Sequence, residues 1–239
     1  MTSAAAVIPA RFQSTRFPGK PLAPILGKPM LQWVYEGVGG ARVLDRVIIA
    51  TDDRRIQEAA VGFGAEVRMT SSAHVSGTER VAEVAESLDE DIIVNVQGDE
   101  PLITASAVER LVSGISSSGL PMASLMARVD DLGLLTDPHV VKVVTDETGR
   151  ALYFSRSPLP YQAADFFYQH IGIYAYRRDY LLALARTGPT RLEIQERLEQ
   201  LRALEHGDGI QMVEIDRPTL SVDTPQDIIK VESVLRNRA

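Results

Sequence analysis

The chain has 239 residues, and its 25 basic against 32 acidic side chains leave a net charge of -7. That balance argues against a surface that coats nucleic acid, and no apolar run approaches the roughly 20 residues needed for insertion across a membrane. With no cysteine in the chain, disulfides, thiolate nucleophiles and cysteine-ligated metals are excluded.

At 45% hydrophobic and 24% charged residues, with no long polar tract, a folded globular protein is expected. MTSAAAVIPAR lacks a basic region ahead of its apolar segment, so no signal peptide is expected, and the lack of cysteine suits a reducing cytoplasm. Strands are predicted at Ala4–Pro9, Arg46–Thr51, Ala65–Met69 and Asp91–Val96. Continuous apolar runs such as Val47–Ala50 and Ile92–Val94 mark strands covered on both faces. Helices are predicted between them at Pro29–Gly39, Asp53–Gly62, Gly77–Ser87 and Ala105–Ser116. Pro29 suits a first helical turn, and Thr51-Asp52-Asp53 brings N-cap chemistry. Such alternation predicts an α/β fold with a mainly parallel central sheet flanked by helices.

Beyond about residue 120 the pattern becomes β-rich. Met122–Val129 and Val140–Thr145 read as strands, and Asp146-Glu147-Thr148-Gly149 as a turn into Arg150–Ser155, which predicts a hairpin. His170–Tyr176 is a further strand. Over Arg191–Leu204 a helix is predicted, with Ile194, Leu198, Leu201 and Leu204 facing the core. A strand at Ile210–Ile215 and a helix over Thr224–Leu235 close the chain. With no repeat, low-complexity tract or linker, residues 1–239 read as one domain: a first half over about 1–120, an inserted β-rich lobe over 121–190, and closing helices and strand over 191–239.

The stretch ARFQSTRFPGKPL follows the first strand, where ligands bind in open α/β sheets. It matches neither G-x-G-x-x-G nor G-x-x-x-x-G-K-[ST], because Gly19-Lys20 is followed by Pro21. Its parts still suit phosphate: Gly19 permits close backbone approach, Arg11 and Arg16 bind oxyanions bidentately, and Lys20 adds a point charge. A basic loop concentrated on an acidic protein predicts a small polyanionic ligand. In NVQGDEP, Gly98 and Pro101 are expected to fix a turn that brings Asp99 and Glu100 to the same carboxyl edge. In SVDTPQD, Asp223 is either a helix cap or a ligand; paired with Asp99, it supplies the one or two carboxylates that magnesium uses alongside phosphates and waters. HVSGTER puts Ser76 and Gly77 at a helix N-terminus, which favours anions. His74 reads as a loop or packing histidine. The histidines show no metal-ligand spacing, and no G-x-S-x-G supports covalent catalysis.

IPARFQSTRFPGKPL, ATDD, HVSGTERVAEV, IVNVQGDEP, VVKVV, ALYFSRSPLPY, HIGIYAYR, LEQLRALEHG and VDTPQD together cover almost the whole chain. In that order they resemble the sugar-activating nucleotidyltransferases, and within them the 3-deoxy-manno-octulosonate (Kdo) cytidylyltransferase family. The resemblance implies a Rossmann-like nucleotidyltransferase fold. It also implies formation of CMP-Kdo and pyrophosphate from CTP and Kdo with Mg2+, activating Kdo for lipopolysaccharide synthesis. By similarity, Arg11, Lys20, Asp99 and Asp223 are the catalytic group, with Asp99 and Asp223 holding the metal. Ala10, Arg11, Ser14, Lys20 and Gly77 would bind CTP. Gln97, His170, Glu199 and Gln200, with Arg80 nearby, would meet the sugar. The first half then binds nucleotide, and the β-rich lobe serves sugar binding and a homodimer contact. Two departures stand out: Ala163 lies near an expected basic position in a shortened Tyr161–Tyr168 segment, and Ser221 replaces the usual Gly before VDTP. The alternatives are a cytidylyltransferase for another acid sugar, such as sialic acid or an amino-substituted Kdo, and a nucleotide-binding module without catalysis.

Overall fold

In a computed structural model, which describes residues 2–13 and 17–237, the chain divides into two compact units. One comprises Met1–Glu109 with Thr219–Ala239, the other Arg110–Pro218. The first runs through β1 (Ala4–Ala10), a small hairpin of β2 (Pro24–Ile25) and β3 (Lys28–Pro29), α1 (Met30–Gly39), β4 (Arg46–Thr51), α2 (Arg54–Gly62), β5 (Glu66–Met69), α3 (Gly77–Ala85) and β6 (Ile92–Asn95). Ala4–Ile8, Ile48–Ala50 and Ile92–Val94 are fully buried, as strands covered on both faces must be. They pair in parallel in the order β6-β1-β4-β5, with Ala6 beside both Val94 and Val47 and with Ile49 beside Val67. α1 buries Met30, Leu31, Val34 and Val38 along one face, and α1, α2 and α3 all pack on β4. The parallel α/β class read from the alternating runs is the class observed.

α4 (Ala105–Ser118) leads into the second unit. There the chain forms β7 (Met122–Val129), β8 (Lys142–Thr145), β9 (Ala151–Ser155), β10 (Phe167–Arg177), α5 (Arg178–Leu184), α6 (Arg191–Glu196), α7 (Leu201–Glu205) and β11 (Ile210–Ile215). β7 lies between β10, antiparallel, and β11, parallel; β8 pairs antiparallel with β9 and β10. The predicted β8–β9 hairpin is present. Asp146 Oδ1 closes its turn by accepting from the backbone N–H groups of Thr148 and Arg150, each at 2.9 Å.

One predicted element is corrected. The helix expected over Arg191–Leu204 is two helices, α6 and α7, separated at Arg197, whose backbone is left-handed at φ 56°. The break changes the phase of the apolar face. Leu198 and Leu201 are buried as expected, whereas Ile194 is 63% exposed. α5 and the β2–β3 hairpin were not predicted.

Thr219 returns the chain to the first unit, where α8 (Pro225–Arg236) follows an irregular segment. Val222 and Val231 join Ile25, Met30 and Leu102 in one buried cluster, so the chain's last segment belongs to the first unit's core. Among the described residues no helix is long and apolar enough to cross a membrane.

Candidate active site

A cleft of about 860 Å³ opens in the first unit, where β1 and β6 end. Five segments line it: the loop after β1 with Ala10, Arg11 and Lys20, the start of α2, the start of α3 with Gly77, the turn after β6 with Gln97 and Asp99, and the residue Asp223 ahead of α8. Strand ends of a parallel sheet are where such a cleft belongs, because side chains there escape the flanking helices.

Two glycines let these segments approach. Gly19 is left-handed at φ 73°, its N–H donates to the Phe12 carbonyl at 2.8 Å, and a Cβ there would stand 3.1 Å from the Phe12 ring. The turn it makes starts a single 3-10 turn at Lys20. At Gly98, a Cβ would lie 3.0 Å from the Pro9 carbonyl oxygen, so the turn after β6 can sit against the end of β1 only without a side chain.

Lys20 is the centre of the arrangement. Its Nζ donates to Asp99 Oδ2 at 2.6 Å and to the Val222 carbonyl at 2.9 Å, with Asp223 Oδ1 3.6 Å away. The Val222 N–H donates to the Asp99 carbonyl at 2.9 Å. Three places far apart in sequence therefore meet at one ammonium. Asp223 does not serve as the cap of α8. That role falls to Thr224, with Asp227 Oδ2 accepting from the Thr224 N–H at 2.9 Å and its hydroxyl at 2.8 Å.

Glu100 departs from expectation. Instead of joining Asp99 at the cleft edge it turns inward and is buried. Burial first, and the charge of Asp99 second, push its carboxyl up to about 8.

Ser76 caps α3, its Oγ accepting from the Glu79 N–H at 3.2 Å, while Glu79 Oε2 accepts from the Val75 N–H at 3.0 Å. Gly77 thus stands at a formed helix N-terminus on the cleft wall, where backbone N–H groups favour an anion. Arg80 also lines the wall, but its guanidinium is buried against Thr70 and, at 3.4 Å, Asp52. His74 is held by Glu83 and lies 3.7 Å from Glu79, in keeping with a loop-packing role. The Gln97 amide donates to Asn95 Oδ1 at 3.0 Å. Ser14 and Arg16 lie outside the described residues.

His170, Glu199 and Gln200 belong to the second unit. The Tyr174 hydroxyl donates to Gln200 Oε1 at 3.2 Å, and the Gln200 amide is 3.4 Å from His170 Nδ1. His170 Nε2 is 2.9 Å from Ser124 Oγ, which itself donates to the Ile173 carbonyl at 2.9 Å. One proton arrangement satisfies the whole chain: a neutral imidazole with its hydrogen on Nε2 and Nδ1 accepting from Gln200. Burial agrees, pushing the imidazole down to about 3.

The cleft also holds a cation that sequence reasoning passed over. Arg55 lines it, gripping Asp53 through two bonds of 2.9 and 2.6 Å and stacking 3.3 Å above the Phe12 ring. The signal was available: Asp53 caps α2, which points the first turn of that helix toward the strand ends. Among the described residues no cluster of three or more His, Asp or Glu could hold a metal, which leaves Asp99 and Asp223 as a two-carboxylate set.

A parallel α/β unit with cations and carboxylates at its strand ends is the architecture of a nucleotidyltransferase, and a family profile described as cytidylyltransferase matches residues 5–215. A 3-deoxy-manno-octulosonate cytidylyltransferase of Syntrophotalea carbinolica is 50% identical over 98% of this chain and 99% of its own length. A solved CMP:2-keto-3-deoxy-manno-octonic acid synthetase complexed with CTP is 41% identical and superposes with a TM-score of 0.94, covering 100% of both chains. The 4-diphosphocytidyl-2C-methyl-D-erythritol synthase of Anaerococcus prevotii shares the fold at 14% identity, with a TM-score of 0.66 over 98% of this chain and 96% of its own. The chain belongs to the 3-deoxy-manno-octulosonate cytidylyltransferase family.

Proposed function

We propose that this chain is a magnesium-dependent enzyme that forms CMP-Kdo and pyrophosphate from CTP and Kdo, activating the sugar in the cytoplasm for lipopolysaccharide synthesis. The observation that carries the chemistry is the meeting of Lys20, Asp99 and Asp223 in a cleft at the strand ends. Nucleotidyl transfer needs positioning and charge neutralisation more than a covalent nucleophile. As the anomeric hydroxyl attacks the α-phosphate, Lys20 and Arg11 offset the charge growing on the phosphate oxygens. The start of α3 at Gly77 offers backbone donors to the nucleotide. Asp99 and Asp223 fit magnesium: both are partly exposed oxygen donors within reach of one ammonium. Bound there, the metal would supply positive charge to the phosphate oxygens.

The sugar contacts are assigned to Arg80, Gln97, His170, Glu199 and Gln200. Of these, Gln200 is fixed by Tyr174 and His170, which suits an amide that must present a set direction to a hydroxyl. Leu152 and Tyr161 are exposed on the β-rich lobe, which supports a homodimer through that lobe; sedimentation at micromolar concentration checks it.

The deciding experiment is a matrix of nucleoside triphosphates against acid sugars, read by pyrophosphate release. CTP with Kdo is expected to give the highest kcat/KM, and release is expected to cease in chelator and return with magnesium. Preference for sialic acid or an amino-substituted Kdo would reassign the substrate, and no release from any pair would leave a binding module.

A further inference from the structure

The first turn of α2 opens on two arginines, Arg54 and Arg55. The positive end of a helix favours acidic side chains instead, and an ion pair made by an exposed arginine adds little to stability. Helix formation and charge pairing therefore leave Arg55 unexplained, and its contacts point elsewhere. Asp53 Oδ1 accepts from the Arg55 backbone N–H and from Nε, both at 2.9 Å, and Oδ2 accepts from Nη2 at 2.6 Å. Held at these three points, the guanidinium lies over the Phe12 ring, 3.3 Å from its centre. Phe12 directly follows Arg11. Its carbonyl accepts from the Gly19 N–H at 2.8 Å, and the tip of its ring is so near Gly19 that a Cβ there would stand 3.1 Å away. Gly19 in turn directly precedes Lys20, and α2 packs against the 3-10 turn over Lys20–Leu22. One stack thus runs from Asp53 through Arg55 and Phe12 to Gly19, and it reaches a neighbour of each cation, Arg11 and Lys20.

We infer that Arg55 is a positioning residue for the loop after β1, which by holding Phe12 against Gly19 sets the separation of Arg11 and Lys20. The inference rests on the proposed nucleotidyl transfer for its consequence, because a fixed spacing of two cations matters to a ligand with several charges. The geometry of the stack stands apart from the activity. Arg55 touches no substrate in this role; it acts through the Phe12 ring. A guanidinium suits the task, since its edge pairs with a carboxylate while its flat face lies on an aromatic ring, and an ammonium has no such plane.

The test compares Arg55→Ala, Arg55→Lys and Phe12→Leu in the full chain, with folding checked by urea denaturation. The Gly19 amide reports on the stack through its bond to the Phe12 carbonyl. Without nucleotide, its hydrogen-exchange protection, read by NMR, is expected to fall about fivefold or more in Arg55→Ala, with the amides of α1 unchanged. In turnover, kcat/KM for CTP is expected to fall about tenfold in that variant, as when a binding group is misplaced, while KM for Kdo changes by less than about threefold. Arg55→Lys is expected to restore little of either loss. Adding Arg55→Ala to Phe12→Leu should cost nothing beyond the worse single change, as for two members of one contact. Unchanged Gly19 protection in Arg55→Ala, or full turnover in that variant, overturns the inference. Losses that add in the double variant put Arg55 on the ligand directly and overturn it too. If Phe12→Leu does not fold, Gly19 exchange in Arg55→Ala decides. If the parent releases no pyrophosphate with any substrate pair, the activity reading fails, and Gly19 exchange alone decides the positioning role.

Discussion

Lys20 donates to Asp99 and to the Val222 carbonyl and lies 3.6 Å from Asp223, so removing its ammonium acts on the phosphate side and the carboxylate side of the cleft at once. Lys20→Ala is expected to lower kcat/KM for CTP by about a hundredfold or more, the loss seen when one preorganised donor to a developing charge is removed. Lys20→Arg is expected to rescue little, since a planar fork does not replace a compact point charge between two carboxylates. Unchanged CTP kinetics in a folded Lys20→Ala protein would make the loop ordinary surface. That Lys20 and Asp99 are functional candidates was legible in the sequence, because each follows an apolar strand and sits beside a glycine. Which of Asp99 and Glu100 faces the cleft was not. Two adjacent carboxylates on one turn read alike in sequence, and only the packing of the folded unit buries Glu100.

At the scale of elements, apolar periodicity located the strands and helices wherever local pattern and packing agree. β1, β4 and β6 needed only their unbroken apolar runs. α3 and α8 carry their own caps at Ser76 and Thr224. The helix over 191–204 failed for a reason periodicity cannot register. Ile194, Leu198 and Leu201 keep helical spacing, but Arg197 takes a left-handed backbone between them, a choice enforced by tertiary contacts such as Glu196, which accepts from the Arg156 N–H at 3.0 Å and the Ser155 hydroxyl at 2.8 Å. The two readings differ in measurable stability. With α6 and α7 separate, Ile194→Lys is expected to change unfolding free energy by less than about 0.5 kcal/mol, as at an exposed site. Leu198→Ala is expected to cost about 2–4 kcal/mol, as in a core. Urea denaturation of both variants checks this, and a large loss for Ile194→Lys would restore the single helix with Ile194 in its core.

Over the whole molecule, two buried groups set opposing slopes of stability against pH. His170 is pushed from 6.5 down to about 3 by burial. Between those values the unfolded chain binds the extra proton, so stability rises with pH and is lost as pH falls through 6.5. Glu100 is pushed from 4.5 up to about 8, by burial and then by Asp99. Between those values it is the folded chain that holds the extra proton, so stability falls as pH rises. Each group acting alone changes stability by about 1.4 kcal/mol per pH unit. From pH 4.5 to 6.5 both act and offset each other; from 6.5 to 8 only Glu100 acts, and below 4.5 His170 pulls stability down. Asp227, held at about 2 against the raising effect of burial by Lys230, Thr224 and the Asp223 N–H, adds to that acid loss below 3.8. The metal-free, nucleotide-free protein in chelator is therefore expected to show a stability plateau between about pH 4.5 and 6.5, with a decline on each side. Urea midpoints from pH 3.5 to 8 measure it, and the slopes are assigned by substitution. Glu100→Gln is expected to flatten the decline above pH 6.5, and His170→Gln the decline below pH 4.5. A parent protein whose stability climbs from pH 6.5 to 8 would show that Glu100 is ionised in its buried place, and an acid limb unchanged in His170→Gln would show that the imidazole carries its charge in the fold.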